Sequence, residues 1–294
     1  MTITNIDSPE SWVADLPFER LGALRRAVKA GVAQPFANYC PPRILKFLLR
    51  LMGSELASEN WRDPGGWRSM VISYHGKPPG IADWLLVTLG TMPMALRNRR
   101  MLAARVIARL IDRAEHEPVH VLCLGAGPGH IIGDALREAR RKACATLVDL
   151  SSGAHDYGRK LAERNGHADR MRFIQGDVCD VEQMLERPPD IVKMLGICEY
   201  IADKPLTTIL RAVAKVMRPG TAIVFNSLSD SHGTDRFFRR VFHLEMIHRT
   251  PEHLQELMRA GGFGDFVSLP EPLGVYHVII GRRQSDESRD QGNG

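Results

Sequence analysis

The stretch Val119-His-Val-Leu-Cys-Leu-Gly-Ala-Gly-Pro-Gly129 decides the fold. Its apolar first half, Val119–Leu124, predicts a short buried strand. Three glycines follow at once and lead into a helix predicted over residues 129–140. Glycine lets the backbone turn tightly and approach a ligand closely, and the first N–H groups of the following helix are free. The sequence therefore predicts a ligand-binding turn at the carboxyl end of the first strand of an α/β sheet.

The chain downstream of this turn alternates between apolar runs and helical patterns, which is typical of a parallel sheet with helices on both faces. Further strands are predicted at 145–150, 171–175, 191–195, 221–225, 266–269 and 275–280, and helices at 152–164, at 204–217 and from Thr250 to Gly261. No helical pattern separates the last two strands. We therefore expect that pair to be antiparallel.

The chain before residue 115 shows helical periodicity and no strand pattern. Helices are predicted at 43–52 and 94–113, with a loop rich in glycine and proline between them, at 63–66 and 73–80. The predicted organisation is a helical cap over residues 1–113, an α/β domain over 114–281 and a disordered tail over 282–294.

Charge and cysteine content narrow the class of protein. The net charge is +5. We interpret it as a solvated basic surface and not as one block of charge. Five cysteines without a C-x-x-C pair argue against a disulfide framework and a zinc ribbon. The sequence shows no secretion signal and no apolar run long enough for a membrane span. We expect a cytoplasmic protein without a metal or a membrane partner, and the oligomeric state stays open.

The glycine spacing discriminates between nucleotide ligands. A dinucleotide fingerprint needs its third glycine at the position of His130, one residue later than Gly129. The observed Gly-x-Gly-x-Gly form instead resembles the first motif of class I S-adenosylmethionine-dependent methyltransferases. Asp149 at the end of the second strand and Gly176-Asp-Val178 at the end of the third agree with that family in order and spacing, and the resemblance extends over about residues 119–281.

The resemblance implies a Rossmann-like seven-stranded sheet whose last strand is antiparallel, and S-adenosylmethionine as cosubstrate. The cofactor contacts that it implies are Gly125, Ala126, Gly127, Gly129, Asp149, Leu150, Asp177, Val178 and Gly196. The run Arg97-Asn-Arg-Arg100, taken with the glycine loop and residues 196–199, also resembles a little-described bacterial methyltransferase-like subfamily with a helical N-terminal region. We therefore add Arg97 as a carboxylate clamp, and expect Arg99 and Arg100 on a solvated helix face.

The catalytic candidates lie where strands end and in the cap. Glu199 and Tyr200 follow the fourth strand and Asn226 follows the fifth. Tyr74 and His75 lie in the cap loop as a lid. His232 is a weaker candidate base, because a loop histidine is usually solvated. Lys193 departs from the family pattern, and we expect it to reach a sheet edge or to snorkel.

Three activities stay open at this stage. The first is methyl transfer to a small molecule, for example one of secondary metabolism. The second is a reaction that releases methylthioadenosine, as in the related nicotianamine and azetidine-2-carboxylate synthases. The third is methylation of nucleic acid. The loop after strand four lacks the Asn/Asp-Pro-Pro-aromatic tetrad of base amino-methylases, so a nucleic-acid partner is not expected.

Overall fold

A computed structural model describes residues 9–76, 78 and 80–285. Its described residues form a seven-stranded sheet in the order β3-β2-β1-β4-β5-β7-β6. The strands are β1 Val119–Leu124, β2 Ala143–Asp149, β3 Met171–Gln175, β4 Ile191–Met194, β5 Ala222–Leu228, β6 Phe263–Pro270 and β7 Tyr276–Arg283. β7 runs antiparallel to both β5 and β6, and the other neighbours are parallel. The fold class and the antiparallel last strand predicted from the sequence are confirmed.

The strand order reverses direction between β1 and β4. From β1 the chain proceeds outward to β2 and β3, and then returns to the other side of β1 as β4 and β5. Every residue of β1 and β4 is buried, which explains why both strands are apolar except at His120 and Lys193. At such a reversal, the loops beyond the carboxyl ends of the two central strands separate and leave a crevice.

The helical segments before the sheet form the region that we call the cap. They are Pro9–Trp12, Ala23–Val28, Lys29–Ala33, Gln34–Tyr39, Pro42–Leu51, Glu55–Arg62, Trp67–His75, Ile81–Trp84, Leu85–Leu89 and Thr91–Arg113. Those that follow β1 are His130–Glu138, Ser152–Arg164, Ala168–Arg170, Val178–Asp180, Val181–Met184, Cys198–Tyr200, Asp203–Val216, Asp230–His232, Asp235–Phe237, Phe238–Phe242 and Pro251–Ala260.

The long helix Thr91–Arg113 packs on the sheet. Its residues Leu102, Val106 and Ile111 are fully buried and share one core cluster with strands β1, β2 and β7. The last part of the region predicted as a cap is thus continuous in packing with the α/β domain, and the division at residue 113 stays a proposal.

Three local predictions need correction. Tyr74 and His75 end the helix Trp67–His75 and do not lie in a loop, because apolar residues at positions 67, 70, 71 and 74 recur at helical spacing. Asn226 lies inside β5, which continues to Leu228 because β7 pairs with it over that length. β7 extends to Arg283, two residues into the predicted tail. Tail residues 286–294 and the N-terminal residues 1–8 lie outside the described residues.

Candidate functional site

The glycine loop bends in a conformation that L side chains rarely adopt. Gly125, Gly127 and Gly129 have φ of 59°, 52° and 81°. A Cβ on Gly125 would lie 2.1 Å from Ile197 Cγ2, and one on Gly129 would lie 2.5 Å from Leu147 Cδ2. Nothing lies within 4 Å of a Cβ placed on Gly127. The outer glycines are therefore required by packing, whereas the middle one presents bare backbone to open space.

Asp149 holds this loop from the neighbouring strand. Its Oδ2 accepts a hydrogen bond from Gly127 N at 2.7 Å, and its Oδ1 accepts one from Ser151 N at 2.9 Å. The carboxylate lies at the carboxyl end of β2 and lines the same crevice as the glycines. It retains further lone pairs with which to accept hydrogen bonds from a ligand.

A cavity of about 310 Å³ lies between this loop and the cap. One wall is formed by the glycine loop, Asp149 and Gly196. The opposite wall is largely apolar and includes Met70, Met92, Phe238, Phe242, Leu244 and Met246. A concave, mostly apolar space with a few convergent polar groups is the usual form of a small-molecule site.

A buried polar cluster forms the floor of the cavity. The side chains of Arg99 and Glu199 are 1% and 4% exposed, and Arg99 Nη1 lies 3.3 Å from Glu199 Oε1. Asn226 Oδ1 accepts hydrogen bonds from Gly196 N at 2.9 Å and from Arg99 Nη1 at 3.5 Å. The cluster therefore connects the long cap helix, the loop after β4 and strand β5 at one point.

Three atoms of this cluster have no hydrogen-bond partner among the described residues: Arg99 Nε, Glu199 Oε2 and Asn226 Nδ2. A buried polar group without a partner costs about 1–3 kcal/mol. Arg99 and Glu199 line the cavity, and together with Asn226 they offer unused donors and an unused acceptor. These atoms fit a ligand that carries both an anionic and a cationic group.

Two tyrosines lie beside the Arg99 guanidinium. Its carbon lies 4.4 Å from the centre of the Tyr276 ring, a favourable cation–π arrangement. Burial acts to lower the pKa of Arg99, but Tyr276, Tyr74 and Glu199 together raise it above its usual value. Tyr74, Tyr200 and Tyr276 all line the cavity, so the predicted candidates Tyr74 and Tyr200 do lie beside the cluster.

Lys193 is buried in β4, with 3% of its surface exposed, so neither a sheet edge nor snorkelling accounts for it. Its Nζ donates to the carbonyl oxygens of Gly125 at 3.3 Å and Leu195 at 3.2 Å. It thereby links the loop after β1 to the loop after β4 at the base of the crevice.

His130 also lines the cavity, at the first residue of the helix behind the glycine loop. Burial lowers its pKa to about 4, so the imidazole is neutral near pH 7. Its Nδ1 has no partner within the described part of the chain. The sequence singled out this position only as the place where a dinucleotide glycine is missing.

Several predicted residues lie away from the cavity. Arg97 is held by Glu19, with Nη2 2.8 Å from Glu19 Oε2, so it does not serve as a free clamp. His75 is exposed, and Leu150 is 68% exposed. Asp177 caps the turn after β3 through Cys179 N, with Val178 next to it. His232 also lies outside the cavity. It is fully buried and not solvated, and burial lowers its pKa to about 4.

The sequence did not identify Arg99 as a site residue, because an arginine in this helix was expected on its solvated face. The apolar stripe of its helix includes Met92, Leu96, Leu102 and Val106. Position 99 falls on that stripe at the i+3 spacing from both Leu96 and Leu102, whereas position 97 does not. The helical periodicity therefore indicated that position 99 is buried, although the charge of arginine suggested an exposed side chain.

Among residues 9–76, 78 and 80–285, no group of histidine, cysteine and acidic side chains is arranged to hold a metal ion. Within the same residues, no helix is long and apolar enough to cross a membrane.

Comparison with known proteins finds a family match over part of the chain. Residues 121–220 match the family model described as a methyltransferase domain. Among curated proteins, a desiccation protectant protein Lea14 homolog from Glycine max is 27% identical over 89 residues, which are 30% of this chain and 59% of that protein. The match thus spans less than two thirds of that relative.

Solved structures share the fold at low identity. The chain is similar to a possible exported protein from Bordetella parapertussis, with a TM-score of 0.63 and 15% identity over 75% of this chain and 80% of that one. It is similar to a putative O-methyltransferase from Nostoc punctiforme, with a TM-score of 0.53 and 16% identity over 81% and 70% of the two chains. It is also similar to an O-methyltransferase family protein from Burkholderia thailandensis, with a TM-score of 0.50 and 18% identity over 65% of this chain and 57% of that one.

Proposed function

Because the chain carries a methyltransferase domain of the class I, Rossmann-like type, we propose that it binds S-adenosylmethionine above the loop Gly125–Gly129 and methylates a small molecule held in the cavity. The observation that carries this proposal is the cavity itself. It joins the open backbone of Gly127, the carboxylate of Asp149 and the buried Arg99–Glu199 cluster to one apolar chamber.

The charges of the described residues support this cosubstrate. Asp149 would accept hydrogen bonds from ribose hydroxyls. The unpartnered Glu199 Oε2 would accept from an ammonium, and Arg99 Nε would donate to a carboxylate, so the cluster matches both charges of an α-amino acid. When bound, the sulfonium supplies an activated methyl group. Asp177 and Val178 stay proposed contacts of the adenine.

The chain's own contribution to the reaction is orientation and exclusion of water. The apolar wall formed by Phe238, Phe242 and Met246 suits a largely apolar acceptor. Tyr74 offers a phenol from the cap side of the same chamber. The neutral His130 is a poor base because burial lowers its pKa to about 4. We therefore assign positioning, and not strong base catalysis, to the described residues.

Cosubstrate binding is tested by isothermal titration with S-adenosylmethionine. Asp149→Ala should weaken binding at least ~10-fold, since it loses charged hydrogen bonds worth about 1.5–3 kcal/mol each. Asp156→Ala is the matched control, because Asp156 is exposed on the next helix and pairs with Arg159. Asp177→Ala tests the adenine contact separately. Equal affinity of Asp149→Ala and the wild type would refute the assignment of the loop.

The reaction itself is tested by identifying the sulfur-containing product. Incubation with S-adenosylmethionine alone should give no turnover, and addition of an acceptor mixture should give S-adenosylhomocysteine. Methylthioadenosine formed without any acceptor would overturn methyl transfer in favour of a reaction at the aminocarboxypropyl arm.

A further inference from the structure

The positive charge of this chain is concentrated in one short segment. Between Arg20 and Ser54 lie seven of the 39 lysines and arginines and none of the 34 acidic residues. The rest of the chain therefore carries 32 basic and 34 acidic residues, so that it is slightly negative. The basic residues of the segment are Arg20, Arg25, Arg26, Lys29, Arg43, Lys46 and Arg50.

These seven cations are not neutralised by the fold. Among the described residues, none of them forms a salt bridge with a carboxylate. Arg20, Arg25, Arg26, Arg43 and Arg50 are exposed. The basic surface expected from the net charge is exposed here, and much of it lies in this one segment.

The same segment exposes apolar side chains at helical spacing. On the helix Pro42–Leu51, Ile44, Phe47 and Leu51 are 49%, 62% and 71% exposed. Leu45 of that helix points inward, where it is buried beside Phe242 and Leu244. Arg43, Lys46 and Arg50 occupy the flank between the two apolar faces, as the 3.6-residue period requires.

The preceding helical segments repeat this arrangement. Leu24, Val28, Val32 and Phe36 recur every four residues and are all exposed. None of the described residues 23–33 is buried. A helix without a buried face gains little from tertiary packing, and a large exposed apolar patch is typical of an interaction surface.

We propose that residues 20–52, the docking face, bind the surface of a lipid bilayer that contains anionic phospholipids. Exposed apolar side chains flanked by Lys and Arg that have no carboxylate partner are the features by which interfacial helices insert below the headgroups. An anionic leaflet attracts such cations. This inference is independent of the proposed function.

Charge favours the bilayer over the other possible occupants. A second copy bound through this face would bring seven cations against seven in a symmetric interface. Nucleic acid would neutralise the cations by phosphate contacts but would leave Phe47, Leu51 and Leu24 exposed to water. A bilayer surface accommodates both the charges and the apolar side chains.

Docking would also bring the cavity close to the lipid. The helix Pro42–Leu51 presents Phe47 and Leu51 outward, while its inward residue Leu45 packs against Phe242 and Leu244 of the cavity wall. One helix diameter, ~10 Å, then separates the cavity wall from the bilayer.

The test is vesicle co-sedimentation of the full chain. We expect binding to vesicles of phosphatidylcholine with ~30% phosphatidylglycerol and at least ~10-fold weaker binding to pure phosphatidylcholine, because each basic residue near an anionic surface adds about fivefold. Binding should weaken between 0.1 M and 1 M salt, as the Debye length falls from ~10 to ~3 Å. Equal binding to both vesicle types, or to neither, would overturn the proposal.

Two variants separate the roles of charge and apolar insertion. The triple variant Arg25→Glu, Arg26→Glu, Arg43→Glu should lose at least ~100-fold in affinity for anionic vesicles. The control Lys160→Glu, Arg164→Glu, Lys204→Glu makes the same charge change on exposed residues of the α/β domain and should lose less than ~5-fold. Similar losses in both variants would contradict a defined docking face.

The variant Phe47→Ser, Leu51→Ser should also weaken vesicle binding several-fold, and far-UV circular dichroism should show an unchanged fold because both side chains are exposed. Two results would replace the proposal. The first is a dimer in light scattering that this variant dissociates, without vesicle binding. The second is nucleic-acid binding that only the docking-face charge variant abolishes, without vesicle binding.

Discussion

Arg99 and Glu199 form an ion pair that is almost completely removed from water, with side chains 1% and 4% exposed. Removing one member of such a pair leaves an uncompensated buried charge, which costs about 3–5 kcal/mol, although the intact pair contributes much less. We therefore expect Arg99→Met to lower the free energy of unfolding in urea by ~3 kcal/mol. The double variant Arg99→Met, Glu199→Gln should recover part of that loss.

The control for this prediction is the neighbouring residue Arg100. It pairs with Asp134, and both side chains are more than a fifth exposed. Since such a pair contributes about 0–1 kcal/mol, Arg100→Met should change the unfolding free energy by less than ~1 kcal/mol. Equal effects of Arg99→Met and Arg100→Met would mean that the buried cluster has no special energetic role.

Two buried imidazoles make the stability depend on pH. Burial lowers the pKa of both His130 and His232 from 6.5 to about 4. Between those values the unfolded chain binds protons that the folded chain does not, so stability decreases as the pH falls from 6.5 to 4. Each imidazole should contribute up to ~3 kcal/mol to this loss.

The free energy of unfolding in urea is measured at several pH values for the wild type and each variant. The difference between wild type and variant at pH 8 serves as the baseline. His130→Gln and His232→Gln should each flatten the dependence between pH 6.5 and 4. Parallel curves for the wild type and both variants would exclude the two histidines as its source.

At the scale of whole elements, apolar periodicity was a reliable guide and charge was not. The helix Ser152–Arg164 and the strand Met171–Gln175 were predicted at their observed bounds, because turn or capping residues delimit each apolar pattern. The sequence pointed to Arg97 as the site arginine and not to Arg99. A charged side chain on an apolar stripe is compatible with burial only when it has a partner, and the partner of Arg99 is Glu199. The helical spacing indicated that position 99 is buried, but the identity of its partner could not be read from the local pattern, because Glu199 lies 100 residues away.

Strands β1 and β4 depend on Lys193 for the geometry of the loops that follow them. Its Nζ donates to Gly125 O and Leu195 O, and hydrogen bonds from a charged donor are worth about 1.5–3 kcal/mol. Lys193→Met should therefore speed amide hydrogen exchange in the peptide 122–130 at least ~10-fold, measured by mass spectrometry.

The matched control is Lys204→Met, which removes an exposed lysine of the next helix. Exchange in the peptide 122–130 should then be unchanged. If Lys193→Met also left this exchange rate unchanged, Lys193 would not be what holds the glycine loop.

At the scale of the molecule, the cap and the sheet are tied by contacts distant in sequence. Asn98 is fully buried; its side chain bonds with the backbone of Glu19 at 2.8 and 2.9 Å and donates to Glu271 Oε2 at 3.1 Å. Glu271 accepts in turn from Leu273 N and Val275 N before β7. One amide thus joins the N-terminal segment, the long cap helix and the β6–β7 connection.

These ties predict that the cap and the sheet unfold together, even though the sequence suggested a boundary at residue 113. All four tryptophans, Trp12, Trp61, Trp67 and Trp84, precede that boundary, whereas circular dichroism reports on helices throughout the chain. Because the helix Thr91–Arg113 belongs to the core of the sheet, urea transitions followed by tryptophan fluorescence and by circular dichroism should coincide. Asn98→Ala should shift both midpoints downward together, since it leaves buried partners unsatisfied at ~1–3 kcal/mol. A fluorescence transition at clearly lower urea than the circular dichroism transition would instead show that the cap unfolds as a separate unit.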